Sequence, residues 1–102
     1  MAQTFYYNGD TYMYRVSEAG LKRYIKETGN SILQELSKRP ENIVRILYYT
    51  VCWGAVSVSV NQFVNDYRRG WVRFRPGLGE HSILGIRRII RNAVRTYQLE
   101  FW

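Results

Sequence analysis

The sequence predicts an α+β fold: a small, mostly helical domain with an N-terminal β-hairpin and a C-terminal amphipathic helix striped with arginine. Three observations lead there. Asn8-Gly9 sits between runs of aromatic and β-branched residues. Behind it, apolar residues recur at helical spacing after good capping residues. Near the end, RRIIRNAVR (residues 87–95) places four arginines beside an arc of isoleucines.

The hairpin rests on the Asn-Gly turn, because both central residues of a type I′ turn need positive φ. TFYY and TYMYR supply the flanks. The first strand is expected from Gln3, and the second ends near Val16. Ser17 then caps a helix, with Val16 and Leu21 placed to staple its entry. That helix should bury Leu21, Tyr24 and Ile25, keep Lys22, Arg23 and Lys26 wet, and stop at Gly29.

Ser31-Ile32-Leu33-Gln34 fits a capping box opening a short second helix with Ile32, Leu33 and Leu36 apolar. Pro40 opens the third helix, where its missing N–H costs nothing. Residues 41–53, ENIVRILYYTVCW, are apolar nearly all round, which predicts a central buried helix ended by Gly54. Ser59-Val60-Asn61-Gln62 is a second capping box, with Val58 and Phe63 as its staple and Val60, Phe63, Val64 and Tyr67 on one face. The alternation over residues 55–60 leaves a short strand as a rival there. Gly70 closes this helix. WVRFR (71–75) reads as a strand or extended arm, and Pro76-Gly77-Leu78-Gly79 as a loop. A last helix spans residues 80–98. On it Ile83, Ile86, Ile89, Ile90, Ala93, Val94 and Tyr97 fill one arc, and Arg87, Arg88, Arg91 and Arg95 an adjoining one interrupted only by Leu84.

At 102 residues the chain is expected to be one domain. Its charge of +7 is unevenly placed. Residues 1–67 carry seven Lys/Arg against six Asp/Glu, whereas residues 68–102 carry eight arginines against Glu80 and Glu100. The expected organisation is a near-neutral body over 1–70 and a basic arm and helix over 71–102. All eight of the late cations are arginine, the side chain suited to fixed, planar contacts with carboxylate or phosphate.

Chemistry for catalysis is sparse. His81 and Cys52 are the only residues of their kinds, so no zinc-type ligand cluster and no internal disulfide can be assembled from the sequence. Cys52 reads as inert packing in an apolar helix, and His81 as a cap or surface residue. RPGLGEHS lacks the Lys-Ser/Thr pair of a P-loop. Asp10, Asp66, Glu80 and Glu100 are scattered singly. The expectation is no enzyme, no cofactor and no metal. MAQTFYYNGD lacks the pattern of a secretory signal. Residues 43–60 are long enough for a membrane span with only Arg45 charged. Arg45, Gly54, two serines and the capping box argue against one.

The candidate site is the basic third: Arg68, Arg69, Trp71, Arg73, Arg75, Arg87, Arg88, Arg91 and Arg95. YRRGWVRFR interleaves arginine with aromatics, as a surface for phosphates and bases would. Trp71 and Phe74 could equally be core residues of a strand, in which Arg73 and Arg75 share one face and Val72 and Phe74 the other. The competing reading is protein assembly, with arginine against acidic patches and aromatic anchors in pockets. QLEFW at the end reads as an aromatic lid or a docking peptide.

The first 70 residues carry a resemblance. YNGDTYMYRVSEAGLKRYIKETGNSILQEL, then ENIVRILYYTVCWG and SVNQFVNDYRRG, resemble the phage tail assembly chaperone family. The matching positions are Leu21 and Ile25, Glu27-Thr28-Gly29, Ile32-Leu33 and Leu36, Ile46-Leu47-Tyr48, and Phe63 with Asp66-Tyr67. Residues 71–102 have no counterpart in that pattern. The resemblance implies a small non-enzymatic phage protein that associates with itself and with other phage structural or assembly proteins, in the host cytoplasm or the virion. The alternative is a sequence-nonspecific nucleic-acid-binding protein using the basic third.

Overall fold

The computed structural model describes residues 3–52, 57–74 and 83–100; the side chains of Cys52, Ile83 and Leu84 are outside that description. The hairpin forms as the turn chemistry requires. Strands β1 (Gln3–Tyr7) and β2 (Asp10–Tyr14) pair antiparallel with Phe5 opposite Tyr12 and Tyr7 opposite Asp10. Asn8 and Gly9 take φ of 51° and 87°, the left-handed pair that only Asn and Gly adopt cheaply.

Helix α1 (Glu18–Thr28) starts where Ser17 accepts a hydrogen bond from the Gly20 N–H and ends at Gly29. Leu21 and Tyr24 are buried, and Ile25 packs against the core edge. Gly20 is buried too, for a reason the sequence hides. A Cβ there would lie 2.9 Å from the Tyr49 carbonyl oxygen, so only glycine lets α1 approach this backbone so closely. Helix α2 (Ile32–Leu36) buries Ile32 and Leu36. Ser31 precedes it in extended conformation, but its side chain makes no capping bond, so the expected box does not close.

Helix α3 (Pro40–Tyr48) begins at proline as expected and buries Asn42, Ile43, Val44, Ile46 and Leu47. It is central, packing on α2 and on two later helices. It is also shorter than the apolar run suggested. The helix ends at Tyr48, and Val51–Cys52 form strand β3, pairing antiparallel with β2. Cys52 is therefore a strand residue, not part of a helix. The β-branched pair Thr50-Val51 has low helix propensity, and the exposed edge of β2 offers backbone partners instead. Gly54, expected to stop the helix, lies outside the described residues, as do residues 55 and 56 of the rival strand over 55–60, whose last residue, Val60, instead opens the next helix. Residues 57–59 are irregular.

Helix α4 (Val60–Arg68) is capped by Ser59, whose side chain accepts from the Gln62 N–H. Only half of the box forms, because Gln62 turns its side-chain amide to Asp66 at 3.0 and 3.1 Å. Gly70 follows the helix with φ of 81°. Strand β4 (Val72–Phe74) pairs with β1, completing a four-stranded antiparallel sheet of order β3-β2-β1-β4. Helix α5 (Ile83–Thr96) packs on α1, α2 and α3. The loop and helix start expected over residues 75–82, including Arg75 and His81, lie outside the described residues.

The buried side chains form one cluster. Phe5, Tyr7, Tyr14 and Val72 of the sheet's inner face meet Leu21, Tyr24, Ile43, Leu47, Phe63, Ile86, Ile90 and Val94 of the helices. Phe63 packs edge-on against both Phe5 and Tyr7, which sets α4 under the hairpin. After α5 the chain turns, and Leu99 donates its N–H to the Val94 carbonyl and is buried. Of the expected C-terminal lid, Leu99 is in place; Phe101 and Trp102 lie outside the described residues.

Candidate functional site

The arginines of the basic third divide into two groups held by different elements. Arg68, Arg69, Trp71 and Arg73 surround the turn from α4 to β4. Arg87, Arg88, Arg91 and Arg95 lie along α5.

The first group is partly engaged. Arg68 pairs with Glu41 at 2.6 Å, linking α4 to the start of α3. The hydrogen bond from Arg68 holds the Glu41 carboxyl below its ordinary range. The Arg69 guanidinium stands 5.2 Å from the centre of the Trp71 ring, and 3.9 Å from the Asp66 carboxylate. Arg73 donates its Nε to the Gly70 carbonyl at 3.3 Å, bracing the turn. Trp71, which a strand core could have taken, is 49% exposed. Val72 is buried beside it and Phe74 packs at the core edge, with Arg73 exposed between them, so the strand alternates over these residues, while Arg75 lies outside the described residues.

The second group is a continuous arc. Residues at i, i+4 and i+8 lie on one line of a helix, so Arg87, Arg91 and Arg95 form a row roughly 12 Å long. Arg87 and Arg91 are half-buried at the margin of the Ile86–Ile90–Val94 seam, while Arg88 and Arg95 are exposed. Among the described residues none of the four forms an ion pair. Elsewhere Lys22–Glu18 at 3.0 Å, Arg23–Glu27 at 3.1 Å and Lys38–Glu35 at 3.1 Å are paired, while Arg15, Lys26, Arg39 and Arg45 form no ion pair among the described residues. The Nε of Arg87 is buried without a hydrogen-bond partner among the described residues. A buried charged donor left without an acceptor is costly.

Three features escaped the sequence reading. Asp66 is 3% exposed and accepts hydrogen bonds from the Tyr7 hydroxyl and from Gln62. Its position on the buried side of α4 is set by packing under the hairpin, and an isolated aspartate gives no signal of that. The outer face of the sheet is the second, and its residues Tyr6, Met13 and Arg15 belong to no motif. The third is a cleft of about 300 Å³ lined in part by Tyr24, Glu35, Arg45 and Tyr49. Among the described residues no group of three His, Cys, Asp or Glu could hold a metal ion. No described helix is long and apolar enough to cross a membrane.

Comparison of the chain with protein-family models, with curated proteins and with solved structures finds no match in any of the three.

Proposed function

We propose that this chain is a non-enzymatic assembly or interaction protein of the tail-assembly-chaperone kind, working through protein–protein contacts in a phage-infected host cell. Its partner-facing element is α5. The observation that carries this reading is the arc of Arg87, Arg88, Arg91 and Arg95, rigidly docked by its isoleucine seam and without ion pairs among the described residues. A rigid row of guanidiniums suits an acidic helix or loop of another protein, because each can take a carboxylate in fixed geometry.

The rival is sequence-nonspecific nucleic-acid binding through the same arginines. Duplex DNA separates the two, because a phosphate-driven complex weakens steeply as salt rises. The experiment titrates labelled duplex DNA with the protein and with the quadruple variant Arg87, Arg88, Arg91 and Arg95→Glu. The expected result is no duplex binding at near-physiological salt. Alongside it, co-expression with phage tail proteins should yield a complex that the variant loses while keeping a native circular dichroism spectrum. Duplex binding that falls steeply with salt and vanishes in the variant would replace this reading with the rival.

A further inference from the structure

The strand register puts two kinds of surface back to back. Phe5, Tyr7, Tyr12, Tyr14, Val72 and Phe74 share the inner face under the helices. Thr4 and Tyr6 of β1, Thr11 and Met13 of β2 and Arg73 of β4 share the outer face, with Tyr6 directly between Thr11 and Arg73. The ladder continues beyond β4, since the Asn8 N–H donates to the Trp71 carbonyl at 3.2 Å. It continues beyond β2 as well, since the Arg15 N–H donates to the Thr50 carbonyl at 3.0 Å. By alternation Trp71 therefore joins the outer face, and Arg15, just past β2, stands at its edge beside clefts that it shares with Arg23 of α1 and Ile89 of α5.

Large apolar side chains are exposed here to an extent unusual for this chain. Tyr6 is 51%, Met13 52% and Trp71 49% exposed. Scattered singly they would mean little, but gathered on one face they mark an interaction surface. Tyr6 and Trp71 are diagonal neighbours across the β1–β4 pair, about 7–8 Å apart at that register. Arg69 lies against Trp71, Arg73 sits opposite Tyr6 and Arg15 follows Met13. Among the described residues the outer-face positions contain no carboxylate: Asp10 has inner-face register opposite Tyr7, and Asp66 is buried.

We propose that this open face binds a single-stranded nucleic acid, with Tyr6 and Trp71 stacking on bases and Arg15, Arg69 and Arg73 meeting the backbone. Charge complementarity selects the occupant. Among the described residues the face is cationic and aromatic with no acid at its own positions, so it matches a polyanion that carries exposed rings. A single strand has both, whereas a duplex hides its base faces in the stack. Exposed aromatics on a four-stranded sheet are a general means of holding two or three unstacked bases. The site is separate from α5 and stands whether or not α5 contacts a protein.

The test is fluorescence anisotropy of a labelled oligothymidylate titrated with the full chain. The variants are the pair Tyr6→Ala with Trp71→Ala, the single Arg73→Glu, and the quadruple α5 charge reversal. Tyr6, Trp71 and Arg73 are exposed, whereas Arg87 and Arg91 of the quadruple variant are half-buried, so circular dichroism verifies folding of each variant. Wild type should bind with clear salt dependence. The aromatic pair should lose at least about tenfold in affinity, and Arg73→Glu should bind more weakly than wild type by a margin that grows as salt is lowered. The α5 reversal should retain the wild-type preference for single strand over duplex. No binding of the oligonucleotide by wild type at near-physiological salt overturns the proposal. Binding indifferent to the aromatic pair but abolished by the α5 reversal overturns it too, and assigns the strand to α5. Self-association that the aromatic pair abolishes, without oligonucleotide binding, gives the face to a second copy of the chain instead.

Discussion

Asp66 joins the two layers of the molecule through two side-chain partners and one backbone bond. The Tyr7 hydroxyl reaches it from the hairpin, Gln62 from one turn back in α4, and the Trp71 N–H donates to its backbone carbonyl at 2.9 Å. Asp66→Ala leaves the Tyr7 hydroxyl without its carboxylate in a buried position, and should cost about 2–3 kcal/mol in chemical denaturation. A loss near zero would show that the contact is not formed in solution. Tyr14 presents the opposite case, being 1% exposed with its hydroxyl without a partner among the described residues. Tyr14→Phe removes a buried donor that gains nothing, so stability should hold or rise by about 1 kcal/mol. The two tyrosines also set an alkaline limit. Burial, reinforced by the Asp66 contact, raises the Tyr7 hydroxyl above its ordinary value, and burial alone pushes Tyr14 up to about 12. Both stay neutral in the folded state while the unfolded chain ionises them near 10. Their contribution is complete below that pH and is lost as pH rises from 10 through the folded values. Melting temperatures measured upward from neutral pH should fall steeply above about pH 10, and less steeply in Tyr14→Phe.

The helices differ in how their ends are held. Ser17 and Ser59 accept a hydrogen bond from the third residue after them, at 3.1 Å in each case, whereas Ser31 accepts none. Ser17→Ala and Ser59→Ala should each cost about 1 kcal/mol, and Ser31→Ala close to nothing, in matched urea denaturation. An equal loss at all three would mean that Ser31 does cap α2 in solution. All three serines read as caps in the sequence. The pattern marks where a helix begins, but whether the bond closes depends on the turn that delivers the chain. At the other end of α3, residue pattern alone favoured helix through residue 53. The free edge of β2 took Val51–Cys52 into the sheet, a partner that no local window contains.

Across the whole molecule, charge and packing are separable. The α5 seam of Ile86, Ile90 and Val94 is fully buried, so it holds the helix without help from the arginines. Arg88 and Arg95 are exposed and form no ion pairs among the described residues, and like charges along one helix repel. Arg88→Gln with Arg95→Gln should therefore leave stability within about 0.5 kcal/mol, or raise it slightly, while weakening a partner complex. A large stability loss would mean that these side chains serve the fold. Neutral stability with lost binding would mark the arc as a surface kept for a partner.

The sequence alone determined the hairpin and its turn, the starts of four helices and the alternation of VRF in β4. It also determined that the arginines of α5 form one arc beside an apolar seam. These follow from short-range rules: φ preferences at Asn8-Gly9, capping at Ser17 and Ser59, proline at the first turn of α3, and the 3.6-residue period of α5. Only the tertiary structure decided which face of the hairpin is covered. TFYY carries aromatics on both faces, Phe5 and Tyr7 on one and Tyr6 on the other, so alternation within that strand could not say which points inward. Phe63 of α4 settled it by filling the space under Phe5 and Tyr7. That choice exposed Tyr6 and Met13, buried Asp66 beneath Tyr7, and divided the basic third between two surfaces. Each depends on contacts between segments far apart in the chain, and a pattern within one segment does not encode its partner.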